Sequence, residues 1–103
     1  MDKIAGFDWD AGNREKCGKH GVSIAEIESV FAGPVAIYPD PAHSKDEERS
    51  IAIGRSASVR MVFAVFTLRE RDGKTLIRPI SARYMHRKEI EHYEKEVAKA
   101  EKR

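Results

Sequence analysis

The four histidines, His20, His43, His86 and His92, and a pattern of Lys, Arg and Glu near strand ends, with Arg49, Arg55 and Arg83 among them, are the side chains of this sequence whose types suit proton transfer and phosphate chemistry. His20 follows Lys19 in a turn bracketed by Gly18 and Gly21. His43 falls in the polar segment Pro39-Asp40-Pro41-Ala42-His43-Ser44-Lys45-Asp46, where the paired prolines predict a rigid loop. Arg49, Ile51, Ile53 and Arg55 share one strand face by the two-residue period, as do Ile77, Ser81 and Arg83 on another strand. Arg83 ends its strand, where a side chain can reach into a cleft. Histidine exchanges protons near neutral pH, and Arg and Lys suit phosphate. Cleaving RNA without a metal draws on such a set. A base takes the proton of a ribose 2′-hydroxyl, cations stabilise the extra negative charge on phosphorus, and an acid protonates the leaving 5′-oxygen. The same residue types at strand ends also serve as ordinary surface groups, and spacing alone leaves both readings open.

Other chemistries lack their residues. Cys17 and His20 lie three apart, and His86 and His92 flank Glu89, but neither set has a recognised metal-ligand spacing, so no metal is expected. The single cysteine excludes an internal disulfide and an all-thiolate cluster. Nothing near Cys17 makes it a thiolate, which favours a small, buried, inert residue. There is no nucleophile elbow and no Gly-rich phosphate loop, so serine hydrolases and nucleotide-dependent enzymes are not expected, and no cofactor is implied.

The elements that must position these residues are legible from caps and periodicity. Ile4 to Trp9 reads as a first strand, and Asp10 as the N-cap of a helix running to about Gly18. Ser23 and Glu26 have capping-box spacing ahead of Ile24, Ile27, Val30 and Phe31 on one helical face, and Gly33-Pro34 stops that helix. Strands are expected over Val35 to Tyr38, Glu48 to Ser56, Arg60 to Arg69 and Thr75 to Arg83, with Asp72-Gly73 as a hairpin turn. Met61 to Phe66 is apolar on both parities and reads as a central strand covered on both faces. Pro79 cannot donate to a ladder and marks an edge or a bulge. His86 to Arg103 reads as a helix with Ile90, Tyr93 and Val97 on one side. Its narrow stripe makes residues 93–103 a tail that frays or meets a partner.

The 103 residues, 41% hydrophobic and 35% charged, predict one soluble domain over 1–103. No apolar run approaches the ~20 residues of a membrane helix, so no membrane partner is expected. The start Met1-Asp2-Lys3-Ile4 lacks a signal peptide's apolar core, which predicts a cytoplasmic address. The net charge of +2 hides an asymmetry. Between Gly54 and Lys88 nine basic residues face two acidic ones, a strip that reads as a polyanion-binding surface or a solvated sheet face.

In chain order, the landmarks are Phe7-Asp8-Trp9-Asp10, Lys19-His20-Gly21-Val22-Ser23, and Asp40 through His43-Ser44 to Glu48-Arg49. They continue with Ile53-Gly54-Arg55-Ser56, Val65-Phe66-Thr67, Ile80-Ser81-Ala82-Arg83, then Arg87, Glu89 and Tyr93. This ordered set resembles the BrnT family, the toxin half of a bacterial toxin–antitoxin pair. The resemblance implies an α+β fold like that of RelE-type toxins, a small curved antiparallel sheet with N-terminal helices and a C-terminal helix. It implies a metal-independent endoribonuclease and a BrnA-like ribbon-helix-helix antitoxin through which alone the complex meets DNA.

Carried over by residue, the resemblance implies His43 or His20 in proton transfer, Arg49 and Arg83 on the phosphate, and Glu48 as base or as an orienting group. Lys19 joins them, while Thr67 and Ser81 are equally structural; Arg55, Arg78 and Arg87, from the basic strip, are expected to contact RNA as well. His20 alternatively caps the first helix, and Arg49 and Arg83 alternatively pair with Glu47 or Glu48. A catalytically weak corepressor, acting only with its antitoxin, is the competing reading. Many members have an Asn shortly before Lys-His-Gly; here the stretch is Lys16-Cys17-Gly18.

Overall fold

The computed structural model describes residues 3–101, so the first two and last two residues, including the start of the N-terminal segment and the end of the tail, lie outside the described residues. The elements run β1 (Ile4–Phe7), α1 (Ala11–Gly18), α2 (Ile24–Ala32), β2 (Val35–Pro39), a 3-10 turn (Pro41–His43), β3 (Ser50–Arg55), β4 (Met61–Arg71), β5 (Lys74–Tyr84) and α3 (Arg87–Glu101). Five strands form one open sheet in the order β1-β5-β4-β3-β2. The α+β class expected from the sequence holds. Four strands are antiparallel, and β1 adds a parallel edge beside β5, because α1 and α2 carry the chain across the sheet before β2 begins.

The helix starts follow from their caps. The Asp10 carboxylate accepts from the Asn13 N–H at 3.0 Å, and Asn13 Oδ1 accepts from the Asp10 N–H at 2.7 Å, a reciprocal box that opens α1. Ser23 caps α2 by accepting from the Glu26 N–H, but Glu26 does not return the bond. Its carboxylate accepts instead from the hydroxyls of Ser56, Ser58 and Tyr84, tying α2 to the β3–β4 turn and the end of β5.

Alternation along the strands builds the core under α1 and α2. Val62, Ala64 and Phe66 of β4 are buried with Ile27 and Val30 of α2. Phe31 meets the Phe66 ring edge-on at 5.1 Å and Phe7 at 5.8 Å. Burying a side chain such as Phe66 contributes about 1.5–3 kcal/mol. β4 is central, as its apolar run predicts, but it is not sealed on both faces: Met61, Phe63 and Val65 are half-buried. The face opposite α2 carries no continuous helical layer. α3 reaches it through Tyr93, which lines an apolar groove with Ala36, Ile53 and Met61, and no α3 side chain is fully buried.

Pro79 resolves as a bulge on an interior strand. Val65 pairs with Ser81 and Phe66 with Pro79, which leaves Ile80 without a partner. Ile77 therefore faces the core, 2% exposed, and does not share a face with Ser81 and Arg83 as the two-residue period alone predicts. The extra residue reverses the parity.

Candidate functional site

The bulge determines which cations stand together. By parity Arg78 and Arg83 belong on opposite faces of β5, and the inserted Ile80 brings both onto the face opposite α2. The carbonyl of Pro79, released from regular pairing, accepts from Asn13 Nδ2 at 2.9 Å. The same amide nitrogen also donates to the Asp8 carbonyl at 2.9 Å. Asn13 is 3% exposed, so the start of α1 is pinned against the bulge by a fully bonded side chain.

Beside that junction lies a cleft of about 190 Å³, lined among others by Lys16 of α1, Glu47 and Arg49 ahead of β3, Arg69 of β4 and Arg78 of β5. Arg78 donates to Asp10 at 2.9 Å and lies 3.6 Å from Asp8. Arg69 pairs with Glu47 at 3.2 Å. Arg49 makes no ion pair among the described residues. The Nε atoms of Arg49 and Arg69 are buried and have no hydrogen-bond partner among the described residues.

The loop before Arg49 carries His43. Its Nδ1 lies 3.1 Å from both oxygens of Asp40, a carboxylate buried beneath an imidazole that is 70% exposed. The loop closes on Arg49 through main chain and Ser44. The Asp40 N–H donates to the Arg49 carbonyl at 3.1 Å, and Ser44 Oγ accepts from the Arg49 N–H at 2.9 Å. Glu48 is exposed, and its carbonyl accepts from Thr67 Oγ1, which gives Thr67 a structural role.

Arg83 sits further along the same face. It donates two 2.7 Å bonds to Glu89 at the start of α3 and lies with Cζ 4.5 Å from the Phe63 ring centroid. The ion-pair alternative is thus realised for Arg83, with a different acid from either expected one. Glu47 has gone to Arg69, and Glu89 stands opposite because the β5–α3 junction is only two residues long. The pair holds the Glu89 carboxyl down at about 2, and the Glu89 hydrogen bonds push the Arg83 pKa up.

The remaining sequence candidates are dispersed. Lys19 and His20 stand exposed in the turn after α1 and line no part of the cleft. Arg55 donates to the Val59 carbonyl, and Arg87, 93% exposed, pairs with Glu91 one turn on. Cys17 is 1% exposed in the core, and burial pushes its thiol up to about 11, so it is no nucleophile at neutral pH. Among the described residues no group of three or more His, Cys, Asp or Glu is arranged to hold a metal. The structure brings Arg49 and Arg78 together and adds Lys16, Arg69 and Asp40. Asp40 is among the landmarks, but Lys16 and Arg69 carried no signal in the sequence: strand register brings Arg69 beside Arg49, and the packing of α1 along β5 brings Lys16.

An open sheet with helices packed mainly on one side, and arginines gathered on the other, defines a small α+β domain with a face suited to anions. Residues 9–89 match the sequence family described as ribonuclease toxin, BrnT, of type II toxin-antitoxin system, and the chain belongs to that family. Its class is therefore that of ribonuclease toxins, which have RNA as substrate and an antitoxin as partner. A comparison with curated proteins finds no match. No helix of the described residues is long and apolar enough to cross a membrane.

Proposed function

We propose that this chain is a metal-independent, cytoplasmic endoribonuclease toxin that cleaves RNA by attack of a ribose 2′-hydroxyl, and that a BrnA-like ribbon-helix-helix antitoxin neutralises it. DNA contact belongs to the antitoxin. The observation that supports the reading is the common face: Arg49, Arg78 and Arg83 stand on it, and the loop bearing His43 is bonded to the backbone of Arg49.

His43 accepts the 2′-hydroxyl proton through Nε2, the nitrogen turned away from Asp40. The 2′-oxygen forms a bond to phosphorus as the bond to the 5′-oxygen breaks. Arg49 and Arg83 stabilise the added negative charge. His20, as imidazolium, is the candidate for returning a proton to the leaving oxygen, and Glu48 is the candidate for orienting an arginine. The products are a 2′,3′-cyclic phosphate and a 5′-hydroxyl, and every proton is accounted for by side chains.

The test is inducible expression with and without the antitoxin, followed by mapping of RNA ends, and cleavage by purified protein in EDTA. Growth arrest with 2′,3′-cyclic phosphate ends, abolished by His43→Ala or Arg83→Ala and unaffected by EDTA, supports the mechanism. Intact RNA and normal growth from folded protein assign the chain to the corepressor reading instead.

A further inference from the structure

We infer that the cleft between Arg49, Arg69 and Arg78 is a subsite for one backbone phosphate of RNA, and that Glu47 is a resident counter-ion which that phosphate displaces from Arg69. The inference rests on the ribonuclease reading and adds to it Lys16, Arg69 and Glu47, which no motif singled out.

The argument begins with two unmet donors. A buried N–H without an acceptor is rare in a folded protein and calls for an explanation. Here two occur in one place, Nε of Arg49, on the segment leading into β3, and Nε of Arg69, on β4, both lining the same cleft. A guanidinium binds an oxyanion best through a fork of two parallel N–H groups, and Nε is one arm of the side-on fork. Arg49 offers this fork with no carboxylate against it among the described residues. Arg69 is held at 3.2 Å by Glu47, through Nη2 alone, which leaves its Nε arm unused. The protein's own acid therefore satisfies Arg69 only in part.

Charge points the same way. Lys16, Arg49, Arg69 and Arg78 line the cleft against one lining acid, Glu47. Arg78 is already committed to Asp10 and Asp8, which aim it from the side of α1. Glu47 sits on the irregular stretch between the 3-10 turn and β3, outside any ladder, so its side chain can leave without breaking a strand. A phosphodiester supplies two non-bridging oxygens, enough to engage the Arg49 and Arg69 forks together once Glu47 has moved. Because the His43 loop closes directly on Arg49, a phosphate held here fixes the RNA backbone relative to His43.

The test uses a short fluorescein-labelled 2′-O-methyl RNA, which cannot form the attacking alkoxide, with binding read by anisotropy over a salt series. Unmodified RNA of the same sequence reads cleavage separately. Arg69→Ala is expected to weaken binding about tenfold, the equivalent of one charge-assisted contact. It should also reduce the slope of log K against log salt by about 0.7. Arg69→Lys keeps the charge and loses the fork, so it should retain the slope but not the affinity. Glu47→Gln is expected to tighten binding about threefold, and Lys95→Ala, on exposed α3, to change nothing. Thermal melting confirms that each variant is folded, and Glu47→Gln alters only a loop side chain. If the wild-type protein cleaves RNA while Arg69→Ala and Glu47→Gln bind like it, the subsite is overturned and the ribonuclease reading stands; an occupant such as a partner's carboxylate gives this result. If Glu47→Gln weakens binding, the displacement is overturned. If no RNA is cleaved yet the variants shift binding as expected, the ribonuclease reading fails and the phosphate site stands.

Discussion

Arg83 donates one 2.7 Å hydrogen bond to each carboxylate oxygen of Glu89, joining the end of β5 to the first turn of α3. Glu89 also accepts from the His86 N–H at 3.2 Å, so one side chain both caps α3 and anchors it to the sheet. α3 has no fully buried side chain; this pair fastens its first turn, while Tyr93, against Tyr38 and the apolar groove, holds its middle.

Glu89→Gln should therefore destabilise the protein by ~1 kcal/mol at neutral pH, since both groups are about a third exposed and solvent screens the pair. The folded-state pKa of Glu89, about 2, lies below its ordinary value of 4.5, so the stabilisation is complete above pH 4.5 and is lost as pH falls towards 2. Urea denaturation of both proteins at pH 7 and pH 3 checks this. The gap between them should shrink at pH 3; a constant gap means the carboxylate charge is not what anchors α3.

Asn13 fixes the bulge, and its replacement has a distinct signature. Asn13→Ala strands the Asp8 and Pro79 carbonyls and the Asp10 N–H, for a cost of roughly 3 kcal/mol. A domain of this size loses about 4–8 °C of Tm per kcal/mol. Asn13→Asp keeps the acceptor for Asp10 but turns an anionic oxygen towards two carbonyls. It should be worse than alanine at pH 7 and improve relative to it at pH 4, when the carboxyl can protonate and donate. Calorimetry at the two pH values decides it.

The same junction shows where sequence reasoning stops. Asp10, Ser23 and Gly33-Pro34 act locally, through main-chain groups within one helical turn, and they delimit α1 and α2 as read. Pro79 announces an irregularity, because a missing N–H is visible in one letter. Which side the irregularity turns Arg78 towards is not visible, since that depends on whether Ile80 is paired across to β4. The cleft has the same character. Arg49, Arg69 and Arg78 lie far apart along the chain, and only the β3–β4–β5 register makes them neighbours. Glu89 stands among the family landmarks, but no sequence spacing makes it the partner of Arg83, because the pairing depends on how α3 leaves the sheet. The family resemblance makes Lys19 and His20 candidates for chemistry, but their turn stands outside the cleft.

Gly54 tests the packing of α2 on the sheet. A Cβ there would lie 3.1 Å from the Pro34 carbonyl oxygen and 3.2 Å from Val30 Cγ1, one a backbone atom and the other buried in the core. Neither neighbour yields easily, so Gly54→Ala should cost ~1–3 kcal/mol through overpacking. Equilibrium denaturation measures it. An unchanged midpoint would show that the β2–α2 junction relaxes freely.

Asp40 and His43 test the chemistry. The Asp40 carboxylate, on a residue 8% exposed, sits 3.1 Å from His43 Nδ1, while the ring stands in solvent with Nε2 directed outward. A buried carboxylate on one ring nitrogen fixes the tautomer and orientation in which the other can accept a proton. Asp40 thus acts as a positioning residue if His43 is the base. Asp40→Asn preserves shape and removes the charge, and should lower kcat on a short RNA about tenfold while leaving KM within twofold, the pattern of a loss felt in the transition state. His43→Ala should lower kcat further, and adding Asp40→Asn to it should cost almost nothing more, because the two act as one unit. Additive losses in the double variant would sink the pairing. A rise in KM with kcat unchanged would move His43 from proton transfer to binding.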